Sequence, residues 1–199
     1  MNLRINCNTI HRLIIKKSEF ITELYRAFSL EEVQSIIKDA HKRHPKSTHI
    51  CTAYRIKDIE RSNDDGEPGG TAGLPMLEVL RKQNIVDVCA LVIRYYGGIQ
   101  LGAGGLTRAY NNSIVSALET IQLNPLIQIH EFTLRFPLSF ADIILNRTKD
   151  KIIIKKAFTE DVTLILQSED DLFLDELKEL TRGQIEVISM QNKEIEKNV

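Results

Sequence analysis

Two glycine-rich segments enclose the most hydrophobic run of this chain, and that arrangement limits its fold more than any other feature. NDDGEPGGTAGLP, at 63–75, holds four glycines and two prolines, which break regular structure and favour tight turns. YGGIQLGAGGL, at 96–106, leads into an amphipathic helix with Leu106, Ala109, Tyr110, Ile114, Ala117, Leu118 and Ile121 at helical spacing. Between them, Val86–Tyr95 is apolar enough to be a central strand. The stretch Asp64–Tyr110 is therefore expected to supply the functional face.

The remaining pattern surrounds this unit. Leu13–Lys16 and Glu19–Arg26 are candidate strands of one hairpin. In SLEEVQSIIKDAHKRHP, Ser29 and Glu32 have capping-box spacing, Val33, Ile36, Ile37 and Ala40 form an apolar stripe, and Pro45 ends the helix. His49–Ile56 alternates as a strand, with Ile50, Thr52, Tyr54 and Ile56 opposite His49, Cys51, Ala53 and Arg55. A loop is expected from Lys57 onward, and Pro75 suits the first position of a short helix that turns Met76, Leu77 and Leu80 inward.

Pro125 marks a boundary, because a second pattern begins beyond it. Strand 131–136, helix 139–148, strands 152–158 and 162–167, helix 170–181 and strand 184–190 give a βαββαβ order, the signature of a ferredoxin-like sandwich. Ser139 with Asp142, and Ser168 with Asp171, have the spacing of helix starts, and Gly183 can close the second helix. The tail QNKEIEKNV is expected to fray. At 199 residues the chain exceeds the commonest domain size of about 100–150. The expected class is thus α+β with two domains, 1–127 and 128–199.

Composition narrows the function classes. No run approaches the roughly 18 apolar residues of a membrane span, and the N-terminal segment lacks the continuous apolar centre of a signal peptide. Cys7, Cys51 and Cys89 are odd in number and widely spaced, which fits a reducing cytoplasm rather than a disulfide framework or zinc cage. Residues 1–130 carry 16 Lys and Arg against 13 Asp and Glu, and residues 131–199 carry 10 against 14. Neither half is basic enough to demand nucleic acid, so any such contact needs a local patch.

The candidate site residues follow from the two glycine-rich segments. Asp64, Asp65 and Glu67 can hold a cation or organise the loop through backbone amides, and their spacing is not that of a calcium loop. Gly97, Gly98, Gly102, Gly104 and Gly105 precede a long helix, where exposed amides and the helix dipole suit an anion. The segment is neither a Walker loop nor a dinucleotide fingerprint. Arg94, Tyr95, Tyr96, Arg108 and Tyr110 around it combine phosphate pairing with stacking, although adjacent strand residues face opposite sides. His49 and Cys51 share a strand face and are either a nucleophilic or metal-binding pair or a core pair with a buried thiol. No nucleophile elbow or HExxH string is present, so no catalytic residue is assigned and no cofactor is expected.

KKSEFI at Lys16–Ile21, HICTAY at His49–Tyr54, DDGEPGGTAGLPML at Asp64–Leu77 and VIRYYGGIQLGAGGLTRAY at Val92–Tyr110 resemble the IMPACT/YigZ family. The resemblance implies an N-terminal domain with the fold of the second domain of a small-subunit ribosomal protein, shared with sugar- and mevalonate-type kinases. It also implies a C-terminal domain similar to the last domain of elongation factor G. Eukaryotic relatives regulate translation by competing for the activator of a stress-response kinase, a partner that does not transfer to a bacterial-type chain. Glu19 and Asn111–Asn112 depart from the usual pattern. The expectation is a translation-associated binding protein that recognises RNA, the ribosome or a translation-related protein, with no membrane contact. The alternatives are a phosphate- or nucleotide-using enzyme with a metal-assisted site, and a pure protein-interaction domain.

Overall fold

The computed structural model describes residues 1–197, which form two compact units: Met1–Leu126 with Glu196 and Lys197, and Ile127–Ile195. The first contains β1 (Leu3–Ile5), β2 (Thr9–Ile15), β3 (Ser18–Arg26), α1 (Leu30–Arg43), β4 (His49–Ile56), β5 (Ile59–Asn63), α2 (Gly73–Lys82), β6 (Val88–Tyr95) and α3 (Ala103–Leu118). The start of β7 (Leu123–Pro137) pairs with β1.

The main sheet runs β2-β3-β6-β4-β5, with every neighbouring pair antiparallel. The apolar run is its central strand, buried from Val88 to Arg94, because helices cover both faces. Phe20, Leu24, Cys51, Ala53, Ala90 and Val92 pack against α2 and α3. The alternate residues Ile21, Ile50, Cys89, Leu91 and Ile93 pack against Val33 and Ala40 of α1. Period-two alternation along the strands thus builds a three-layer unit.

α1 starts at the expected cap, where Ser29 Oγ accepts from the Glu32 amide at 3.2 Å, while the Glu32 carboxylate reaches one residue beyond the cap and accepts from the Phe28 amide at 2.7 Å. Ile15 pairs with Ser18 across the β2–β3 hairpin, so Lys16 and Lys17 form a two-residue turn, both at positive φ (46° and 66°).

The second unit contains the rest of β7, a 3-10 turn at Leu138–Phe140, α4 (Ala141–Arg147), β8 (Ile152–Phe158), β9 (Asp161–Ser168), α5 (Phe173–Leu180) and β10 (Glu186–Glu196), whose last residue belongs to the first unit. Strand order β10-β7-β9-β8 is that of a ferredoxin-like split βαβ sheet. Phe132, Leu134, Phe136, Val162, Leu164 and Leu166 meet Ile144 of α4 and Leu177 of α5 in its core. The chain is therefore an α+β protein, as its element order implies. Among the described residues no helix is long and apolar enough to cross a membrane.

Four local expectations are corrected. The segment after Lys57 is not all loop: Ile56 pairs with Ile59, and β5 forms at the sheet edge. Pro75 is the third residue of α2 rather than its first. Neither expected serine caps a C-terminal helix, since α4 starts after Phe140 without a side-chain cap and Ser168 instead accepts from the Asp170 amide at 3.4 Å. The tail through Glu196 is strand, not frayed, and Glu196 accepts hydrogen bonds from Arg26 and Asn124; Asn198 and Val199 lie outside the described residues.

Candidate functional site

The acidic loop between β5 and α2 is organised by its own carboxylates. Asp64 accepts from the amides of Gly70 (2.7 Å), Ala72 (3.0 Å) and Gly73 (2.7 Å), holding the loop closed and satisfying the start of α2. Asp65 accepts from the Ile50 amide at 2.6 Å, which pins the loop to β4. Gly73 fits here because a Cβ would lie 2.7 Å from the Asn63 nitrogen.

Glu67 points inward instead. Only 7% exposed, it accepts on Oε1 from Arg94 Nη1 at 2.6 Å and from the Tyr110 hydroxyl at 2.7 Å. Arg94 is 5% exposed, and its guanidinium lies 5.5 Å from the Phe20 ring centre and 5.4 Å from that of Tyr96. A charge this deep requires a counter-charge, and Glu67 supplies it. The three carboxylates therefore diverge toward different partners, and no cluster of three or more metal-ligating side chains occurs among the described residues.

His49 faces the same place. Its Nδ1 lies 2.7 Å from the Asp65 carbonyl oxygen, which can only accept, so Nδ1 carries a proton. Nε2 then offers a lone pair in the neutral ring and sits 3.9 Å from Glu67 Oε2, beyond hydrogen-bond distance. Below them the Cys51 thiol donates to the Asp64 carbonyl at 3.0 Å, and burial pushes its pKa up to about 12. It belongs to the core and is no nucleophile at neutral pH.

His49, Glu67 and Arg94 line a cleft of about 460 Å³ whose walls also include Thr48, Tyr96 and Gly102. α3 opens there at Gly102 (φ 70°), and no side chain caps the first turn. An adjoining groove is lined by Ile15, Lys16, Gly105 and Arg108, and Leu101 borders both. Gly97 joins this wall to the β2–β3 hairpin: its amide donates to Ser18 Oγ at 3.2 Å, and a Cβ would lie 1.9 Å from the Lys17 carbonyl oxygen.

Of the residues singled out from sequence, Glu67, Arg94, Tyr96 and Gly102 thus meet at one cleft, with Gly105 and Arg108 beside it. Gly98 stands at φ 83° with open space around it, and Gly104 lies in the first turn of α3 beside Arg108. Tyr110 is fully buried beneath the cleft as a donor to Glu67 and an edge-on neighbour of Phe20. Tyr95 projects to the other side of the sheet, where its hydroxyl lies 2.9 Å from His44 Nδ1. Asp64 and Asp65 serve the loop. Sequence reasoning left out Lys16, Lys17 and Ser18; the two-residue spacing between paired strands is the signal that exposes the lysines together.

Fold and cleft define a two-unit α+β protein whose first unit carries a polar site framed by glycines. The chain belongs to the IMPACT family: the Impact N-terminal domain matches residues 16–118. It is 38% identical over 202 residues to the IMPACT family member YvyE of Bacillus subtilis, covering 95% of this chain and 91% of that relative. Identity to YigZ of Escherichia coli is 32% over 187 residues, covering 89% and 92%. A solved crystal structure described as a hypothetical protein, 31% identical, aligns over 98% of both chains with a TM-score of 0.59.

Proposed function

We propose that this chain is a translation-associated binding protein that engages RNA, including ribosomal RNA, through the rim of the cleft. The family resemblance points to translation. The observation that carries the RNA reading is the hairpin turn: Lys16 and Lys17 are both exposed, and Gly97 holds that turn against the cleft wall next to exposed Tyr96. Arg108, exposed on α3, shares a groove with Lys16. Cations flanking an open aromatic ring are what a single strand requires, pairing along its phosphates and stacking on a base. On this reading the protein works in the cytoplasm.

Arg94 does not belong in the test, because replacing it breaks a buried ion pair. The K16E/K17E/R108E variant is expected to lose ribosome co-sedimentation, and its salt slope for single-stranded RNA should fall by ~2, about 0.7 per lost phosphate contact. Unchanged co-sedimentation and an unchanged slope would falsify the reading. Co-sedimentation that survives nuclease treatment would transfer the role to a protein partner.

A further inference from the structure

The floor of the cleft has a chemistry that the basic rim does not explain. With the His49 ring neutral, its Nε2 and Glu67 Oε2 are both acceptors and face each other at 3.9 Å. Glu67 Oε1 already takes two donors, whereas Oε2 accepts no hydrogen bond among the described residues. One hydroxyl has one proton and cannot donate to both acceptors. Two hydroxyls on adjacent carbons can, one to each.

The walls add to this. Arg94, nine-tenths buried, lines the cleft, and its Nε, enclosed within the protein, has no hydrogen-bond partner among the described residues. The sixteen-residue helix α3 presents its uncapped first turn at Gly102 and Ala103, a place where backbone amides and the helix dipole favour an anion. Tyr96, 47% exposed, has Arg94 against its ring and still borders the open cleft. Acceptors for a diol, a positive helix end and an aromatic platform thus surround one volume of about 460 Å³, a size that suits a small ligand.

We propose that this cleft binds a ribonucleoside 5′-monophosphate unit with a free 2′,3′-diol. The diol donates to His49 Nε2 and Glu67 Oε2, the phosphate lies at the first turn of α3, and the base covers Tyr96. Such a unit occurs as a free nucleotide and at the 3′ end of an RNA chain. The inference goes beyond the RNA reading and does not depend on it.

Isothermal titration of the full chain with adenosine 5′-monophosphate should show saturable one-site binding. The 2′-deoxy nucleotide should bind roughly tenfold more weakly, as the loss of one directed hydrogen bond implies. Tyr96→Ala should bring the nucleotide down to the affinity of ribose 5-phosphate. Because His49 also holds the Asp65 carbonyl, a His49 variant could act through folding, so the deoxy comparison on the unaltered protein is the deciding measurement. Equal affinity for the ribo and deoxy nucleotides, or no saturable heat at millimolar nucleotide, overturns the proposal. A short RNA ending in a 3′-hydroxyl that displaces the nucleotide, while its 3′-phosphorylated counterpart does not, identifies the chain end as the source; no displacement by either identifies the free nucleotide. Nucleotide binding without RNA association supports this inference and sinks only the RNA reading. RNA association without nucleotide binding does the reverse.

Discussion

Glu67 and Arg94 form a buried ion pair whose partners come from different elements, the loop before α2 and the central strand β6. The geometry is direct, and Tyr110 adds a second donor to the same carboxylate. Burying two charges is expensive, so the pair contributes little net stability, but removing one partner strands the other. Glu67→Leu is therefore expected to lower stability by about 3–5 kcal/mol, whereas the double variant Glu67→Leu with Arg94→Met should recover most of that loss. Urea midpoints of the two single variants and the double variant measure the coupling; additive losses would show that the pair does not act as a unit. Half of this arrangement is legible in sequence. An arginine inside an apolar strand needs a partner, but nothing along the chain says that the partner is Glu67 rather than Asp64 or Asp65. That choice is made by the backbone of a glycine-rich loop, where Gly66 stands at φ 83° and turns successive carboxylates to different sides.

At the scale of elements, the contact between the β2–β3 turn and the strand end after β6 sets the cleft's edge. Gly97 lies against the Lys17 carbonyl, so any side chain there collides with backbone rather than with a movable side chain. Gly97→Ala should cost about 3 kcal/mol, the upper end of overpacking losses, and raise amide exchange in the hairpin. Gly98→Ala is the control: its Cβ meets open space, and only the positive φ opposes it, at roughly 1–2 kcal/mol. Equal thermal shifts for the two variants would count against a steric role for Gly97. The elements themselves were legible in proportion to their apolar periodicity. β6, α1 and α3 announce themselves because each buries a regular stripe. β5 (IERSN) is almost wholly exposed and polar, and β10 beyond Met190 is QNKEIE, so their pairing comes from neighbours and leaves no pattern in their own residues. The expected caps at Ser139 and Ser168 failed because the chain enters each helix through a turn that moves the start a few residues on.

At the scale of the whole molecule, the first unit is completed by a residue from the far end of the chain. Glu196 accepts from Arg26 at 2.5 and 3.1 Å, from Arg4 at 3.3 Å and from Asn124 at 2.8 Å, and Arg4 also pairs with Asp87. Burial pushes the Glu196 carboxyl up, but hydrogen bonds from Arg26, Asn124 and Arg4 together with the Arg26 charge outweigh it and hold the pKa below the usual range. Glu23 in the same unit behaves alike: burial raises it, and Arg43, Tyr25 and His44 more than compensate. A carboxyl depressed in the folded state contributes its stability above the unfolded value of about 4.3, and that contribution disappears as the pH falls through the folded value. Acid should accordingly loosen the first unit as these carboxylates take up protons. Glu196→Gln is expected to lower its stability by about 2 kcal/mol at neutral pH, in the range for hydrogen bonds to a charged group. The difference from the unaltered protein should shrink as the pH falls through the folded-state value of Glu196, where the carboxylate takes up its proton. Amide exchange at Leu3 and Val86, whose N–H groups bond to the Asn84 and Leu3 carbonyls, reports on this end of the unit. Exchange there that is unaffected by Glu196→Gln at neutral pH would mean that Arg4 and Arg26 are held adequately without it. In that case the pairing of β1 with β7 and the Arg4–Asp87 ion pair would suffice to hold β1.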